Sequence, residues 1–169
     1  SKLSAMSQVS SLNSIGTSMA ISDASTYSAQ IQAAGSAAEV DSVLIEVSAA
    51  ILREQERKDL LDKATSATNG SFYSASGAGD AQQVASLSTL LQALLSDINS
   101  KNTLVELQSY EASGTIDVQA TTVWQEFFTS LINGKQTDNL LMKSNSQTSW
   151  YFMSKTNALS HVAASTWQD

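Results

Sequence analysis

Apolar residues recur along this chain at three- and four-residue spacing, broken by stretches of glycine and serine, and that period predicts helices. The clearest run follows Ser36-Ala37-Ala38-Glu39, a capping box in which the Ser36 hydroxyl and the Glu39 carboxylate each accept the other residue's amide. Val40, Val43, Leu44, Val47, Ile51 and Leu52 then share one broad face, which Leu60, Leu61 and Ala64 resume. The spacing predicts a helix over about 37–67, roughly 45 Å long at helical rise. A second run opens with Asp80 as N-cap and Gln83 as its reciprocal partner. Val84, Leu87, Leu91, Leu94 and Ile98 form its stripe, broadened by Leu90 and Leu95. The pattern carries on through Leu104, Val105 and Leu107 to Tyr110, so a second long helix is expected over about 80–110, ended by Gly114.

The stretch from Asn69 to Gly79 holds Gly70, Gly77 and Gly79 among serines and reads as a loop, with Phe72 and Tyr73 as its anchors. Two long helices joined by such a loop predict an antiparallel hairpin, covered by shorter helices from both ends. The expected fold class is therefore all-α, an antiparallel helical bundle, and the 169 residues favour a single domain. The complete absence of proline permits long helices of this kind.

Both ends of the chain are less regular. From Ser1 to Ala34 the stripe is made of small residues. It reads as a helix over about 3–20 and a second one capped by Asp23, or as one continuous helix, since no residue between 19 and 24 forces a stop. This segment is expected to be peripheral, or to order only in an assembly. After Asp117, read as a cap, Val123, Trp124, Phe127, Phe128, Leu131 and Ile132 predict a heavily apolar helix to Asn133, with Gly134 as its left-handed C-cap. Leu140, Leu141 and Met142 form a short buried run. A last helix is expected from a cap at Ser146 or Ser149, carrying Trp150, Met153, Ala158, Leu159 and Val162. A strand reading finds little support, because the apolar spacing returns quickly to helical after Thr115–Thr122.

Charge and composition narrow the chemistry. The net charge of −7 opposes nucleic acid as a partner, since neutralising phosphates requires a basic face. The densest basic cluster, Arg53, Arg57, Lys58 and Lys63, is interleaved with Glu54, Glu56, Asp59 and Asp62 and reads as the solvated side of a helix. Charged residues are 15% of the chain, against about 25% in an average domain, and serine, threonine, asparagine and glutamine fill the polar positions. Such a neutral polar surface favours export or surface display over the cytoplasm. The start at Ser1-Lys2-Leu3, without an initiator methionine, suggests a processed chain. No apolar run reaches the length of a membrane span: Val43–Leu52 is interrupted by Glu46, and Leu87–Leu95 by serine and glutamine.

Cysteine is absent, which excludes disulfides, thiolate nucleophiles and iron–sulfur clusters. The single histidine, His161, cannot build a histidine zinc site or a four-helix di-iron site, and its place near a helix C-terminus accounts for it. Gly77-Ala78-Gly79 lacks the lysine and the preceding strand of a phosphate loop. Asn69-Gly70-Ser71 matches the glycosylation acceptor pattern, making Asn69 a candidate if the chain passes through a eukaryotic secretory route. Neither a cofactor nor a catalytic or metal-ligating set is expected.

The large aromatic residues remain. Trp150-Tyr151-Phe152-Met153 cannot all face inward on one helix, so Trp150, Tyr151 and Phe152, with Trp167 near the terminus, are the candidate interaction residues. Val40, Leu44, Val47, Ile51, Leu87, Leu91, Leu94, Trp124, Phe127 and Phe128 are the candidate core, or the lining of an apolar ligand pocket. The function expected is that of a non-catalytic helical interaction or assembly protein, working on a protein partner or on itself through helix–helix packing. The alternative is a carrier that holds an apolar small molecule or lipid inside the bundle.

Overall fold

The computed structural model describes residues 1–69, 80–144, 151–164 and 167–168, with side chains for all of these except 80–84, 143–144 and 167–168. Among them the fold is an all-α helical bundle with a small sheet. The order is α1 (Lys2–Ser14), α2 (Ser18–Ala33), α3 (Ala37–Ala67), α4 (Asp80–Asn99), α5 (Leu104–Ala112), α6 (Thr115–Asn133), β1 (Leu140–Ser144), β2 (Tyr151–Met153), α7 (Lys155–Ala163) and β3 (Trp167–Gln168). The chain divides into two compact units, one of Ser1–Thr65 with Leu94–Gly114 and the other of Ser66–Ala93 with Thr115–Asp169.

The first unit is organised by α3, whose bounds match the expected helix. Glu39 donates its amide to Ser36 Oγ at 3.2 Å, while its carboxylate accepts the Gly35 amide at 2.6 Å, one residue before the Ser36 amide expected for a capping box. Residues 1–34, expected at the periphery, form α1 and α2 and supply Ala5, Val9, Leu12, Ala20, Ala24, Ile31 and Ala34 to a core completed by Val40, Val47 and Ala50 of α3. Small side chains make this possible: alanine on facing helices permits close approach, which excludes water without large residues. α1 and α2 are separate helices. Gly16 adopts φ +83°, a left-handed conformation that ends α1. Thr17 then caps α2, its hydroxyl accepting the Ala20 amide at 3.1 Å.

The second long helix expected over 80–110 is two helices. Thr103 Oγ1 accepts the Glu106 amide at 3.2 Å, and Glu106 Oε2 accepts the amides of Asn102 at 2.7 Å and Thr103 at 3.4 Å. That capping box starts α5 and stops the apolar stripe from continuing as one rod. Gly114 is left-handed at φ +67°, and α6 begins directly after it at Thr115, ahead of the expected start. Gly134 is not left-handed; its amide donates to the Ser130 carbonyl at 3.0 Å, continuing the helical pattern by one bond. The loop anchors Phe72 and Tyr73 lie outside the described residues.

The second unit has its core at Phe127, Phe128, Ile132, Leu140, Met142, Ala158 and Val162, with Trp124, Leu131, Met153 and Leu159 against it. Phe127 and Phe128 meet edge to face at 5.2 Å between centroids, and Trp124 packs on both at 6.2 and 6.4 Å. Here the reading of the chain changes most. Leu140–Ser144 is a strand, and Tyr151–Met153, expected on the last helix, is a second strand paired antiparallel to it, Leu140 opposite Met153, Leu141 opposite Phe152 and Met142 opposite Tyr151. The sheet order is β2-β1-β3. The last helix starts later, at Lys155, where Ser154 Oγ accepts the Asn157 amide at 3.2 Å and Asp138 Oδ1 accepts the Lys155 amide at 3.0 Å. A period of two over three residues fits β2 and places Tyr151 and Met153 on one face and Phe152 on the other.

Because α1 belongs to the core, Leu12→Ala is expected to lower stability by about 2–5 kcal/mol, whereas Leu3→Ala, at a position 84% exposed, should change it by less than about 0.5 kcal/mol. Urea unfolding followed by far-ultraviolet circular dichroism measures both; equal small effects would mean that α1 is not packed.

Candidate functional site

Three groups of residues are arranged in ways that simple packing does not require. The first is the charged run in α3. Expected on the solvated side, Glu54 is 0% and Arg57 1% exposed. Both are buried because each finds its counter-charge one helical turn away. The Arg57 Nε donates to both Glu54 oxygens at 3.0 Å, its Nη1 donates to the Ile98 carbonyl at 2.7 Å, and its Nη2 to the Lys101 carbonyl at 2.7 Å. Ile98 and Lys101 stand at the C-terminal end of α4, where carbonyls lack partners along the helix, so Arg57 serves as a cap. Glu54 Oε1 also accepts the Thr17 hydroxyl at 2.6 Å, and Oε2 accepts Arg53 Nε at 2.9 Å. Arg53 continues the network to Asp23 of α2. Burial alone would push the Glu54 carboxyl up, but the bonds from Thr17, Arg53 and Arg57 prevail and hold it below the ordinary carboxylate range. This arrangement joins α2, α3 and the end of α4 through bonds between protein atoms.

The second group is Glu56 with Glu111 of α5. Glu56 Oε1 is buried without a donor, and the side chain bonds to the carboxyl of Glu111. Two carboxyls can share such a bond only when one keeps its proton. Burial first, then the bond to Glu111, then the charges of Glu111 and Asp59 raise the Glu56 carboxyl above its ordinary value. Nearby, the Tyr110 hydroxyl is buried and faces Asp97, raised by burial first and then by the charge of Asp97 and a bond to it, while Lys101 Nζ pairs with Asp97 at 3.2 Å and lies 5.4 Å from the centre of the Tyr110 ring. Ser100, Asn102, Val105, Glu106 and Ser109 join Lys101 and Tyr110 around an open groove of about 570 Å³. A second groove, of about 290 Å³, lies by Lys2, Gly35, Ser36, Val40 and Asp41. Both grooves mix polar and apolar side chains.

The third group is the outer face of the sheet in the second unit. Leu141 and Phe152 are direct cross-strand partners, and they are 47% and 72% exposed. The opposite face is the packed one: Leu140 and Met142 are buried there. Tyr151 shares that inner face but remains 45% exposed. β2 is also the edge of the sheet in the described order.

The residues singled out from the sequence are therefore spread over both units. Val40 and Val47 are buried in the first, with Leu44 and Ile51 half-buried beside them. Leu87 and Leu94 are buried and Leu91 half-buried. Trp124 donates its Nε1 to the Ala67 carbonyl at 3.1 Å, and Phe127 and Phe128 form the centre of the second core. Trp150 lies outside the described residues, and Trp167 is placed only as part of β3. Asn69 is exposed directly after α3. His161 is half-buried in the last turn of α7. Leu141, expected in a buried run, is exposed, and the α3 network, expected on the solvated side, is buried. Leu140-Leu141-Met142 is a continuous apolar run with no alternation to mark the exposed member, and the burial of the network depends on which face of α3 receives α2 and α4.

Removing one partner of the buried pair leaves a charge uncompensated, so Arg57→Ala should cost about 3–5 kcal/mol in chemical unfolding. The two carboxyls give opposite limbs of a pH profile. Glu54, held low, contributes stability that is complete above its unfolded value and lost as pH falls through its native value. Glu56, held high, contributes stability that is complete below the unfolded carboxylate range and lost as pH rises through its native value. Thermal melts across pH should therefore show Glu56→Gln gaining on the wild type as pH rises from about 4 toward neutrality; parallel curves would remove the shared proton.

Among the described residues no group of three or more metal-binding side chains is assembled, and no helix is long and apolar enough to cross a membrane. Comparison with protein-family models, curated proteins and solved structures finds no match to this chain.

Proposed function

We propose that this chain is a non-catalytic interaction or assembly protein, working on a protein partner or on itself. The observation that supports the reading is the cross-strand pair Leu141 and Phe152, uncovered on the outer face of the sheet while the inner face is packed. A sheet with one solvated face ordinarily alternates apolar and polar positions, and here the solvated face carries two large apolar side chains in register. Aromatic and aliphatic groups in such a place become affinity anchors once a partner excludes water from them. The contact is thus drawn at a strand, where the sequence alone suggested a helix. Export or display at a surface accords with the low charge of the chain.

Sedimentation velocity over a wide concentration range tests the reading. The wild type should gain mass with concentration or bind an apolar dye at the sheet face, and Phe152→Ser with Leu141→Lys should abolish either effect while leaving the melting curve within about 0.5 kcal/mol of wild type. A wild type that stays monomeric and binds no dye would overturn it.

A further inference from the structure

α3 has two apolar sides, and only one of them is covered. Val40, Val47 and Ala50 face the core, with Glu54 and Arg57 continuing the buried side. On the opposite side Ala38, Ser42, Ile45, Ala49 and Leu52 follow one another at alternating four- and three-residue steps, and all five are exposed, Ile45 at 73% and Leu52 at 58%. Alternating steps of this kind keep residues in a single narrow line along a helix, the geometry of a seam that receives a second helix. The small residues at Ala38, Ser42 and Ala49 allow a close approach, and Ile45 and Leu52 provide the knobs.

The positions flanking that seam are Glu39, Asp41 and Glu46 on its N-terminal stretch, followed by Ser48, Arg53 and Gln55. Between Ala37 and Leu52 there is no lysine or arginine. Asp41 and Glu46 have no cationic partner among the described residues, and Glu39 is bonded only to backbone and cap groups at the start of the helix. Arg53 does not relieve them, because its guanidinium is committed to Asp23 and Glu54. Lys2, which shares a groove with Asp41, gives its ammonium to the Gln32 carbonyl at 2.8 Å. The seam therefore carries Ile45 and Leu52 along its centre and one acid without a cationic partner on each flank of its N-terminal stretch, Asp41 and Glu46.

That charge pattern selects the occupant. A second copy aligned parallel would set acid against acid, and one aligned antiparallel would meet only Ser48, Gln55 and an Arg53 already engaged. Like charges across such flanks oppose pairing, and opposite charges choose the partner. We propose that the exposed seam of α3 docks an amphipathic helix of a partner chain whose apolar line is flanked by lysine or arginine. This surface belongs to the first unit and is independent of the sheet face in the second.

The test uses the full chain and a synthetic amphipathic helix with leucine at alternating three- and four-residue spacing and lysine on the flanks, alongside the same peptide with glutamate flanks. Isothermal titration should detect the lysine peptide only, with affinity falling as salt rises. Ile45→Asp and Leu52→Asp should each weaken it about tenfold, both being exposed positions whose variants keep the wild-type melt. Asp41→Lys with Glu46→Lys should transfer preference to the glutamate peptide. Phe152→Ser should leave binding unchanged, which separates this surface from the sheet face. The proposal is overturned if neither peptide binds the wild type, if both bind alike, if Ile45→Asp and Leu52→Asp have no effect, or if the chain instead forms a dimer that Ile45→Asp dissociates, which would assign the seam to a second copy.

Discussion

The first unit depends on two charges taken out of water together. Glu54 and Arg57 lie one turn apart in α3 with no exposure between them beyond 1%, and either alone would be costly to bury by several kcal/mol. What offsets the cost is the completeness of their bonding. Arg57 gives three of its guanidinium nitrogens to Glu54, Ile98 and Lys101, and Glu54 takes hydrogen bonds from Thr17, Arg53 and Arg57. Because Thr17 is the cap of α2 and Ile98 closes α4, the pair attaches the start of one helix and the end of another to the middle of α3. An apolar contact tolerates sliding. This set of directional bonds does not, and it holds the rotation of α3 about its own axis.

That fixed rotation has consequences on the other side of the same helix. With Val40, Val47 and Ala50 turned inward, the line from Ala38 to Leu52 must turn outward, and its isoleucine and leucine stay in solvent. Glu56, bonded to Glu111 of α5, stands just beyond that line, its carboxyl raised by burial first and then by the bond to and charge of Glu111. The apolar stretch of the seam thus ends where acid-to-acid contact begins.

In the second unit, directional bonds again close what packing leaves open. Gln125 of α6 donates Nε2 to the Val162 and Ala163 carbonyls at 3.3 and 3.0 Å, capping α7, and Trp124 reaches the Ala67 carbonyl. The aromatic group of α6 forms the floor on which Leu140 and Met142 lie. Leu141 then has no choice but the opposite face, since successive strand residues alternate. Its exposure, and that of Phe152 across from it, follows from which residues the floor accepts.

The sequence by itself determined most of the helices. Spacing, the Ser36–Glu39 cap and the lack of proline were sufficient for α3, and the aromatic turn of α6 announced its core, because helical period and capping are local properties readable within a few residues. The breaks at Gly16 and Thr103 were also written locally, yet each was masked by an apolar stripe that carries on past it. Tertiary structure alone decided the rest. Tyr151–Met153 became a strand because Leu140–Met142 was there to pair with it, and three residues are too few for their period to be seen. Arg57 and Glu54 went inside because Thr17, Ile98 and Lys101, distant in sequence, arrived with the matching donors and acceptors. A charge can be buried only where its partners converge, and that convergence is a property of the assembled fold.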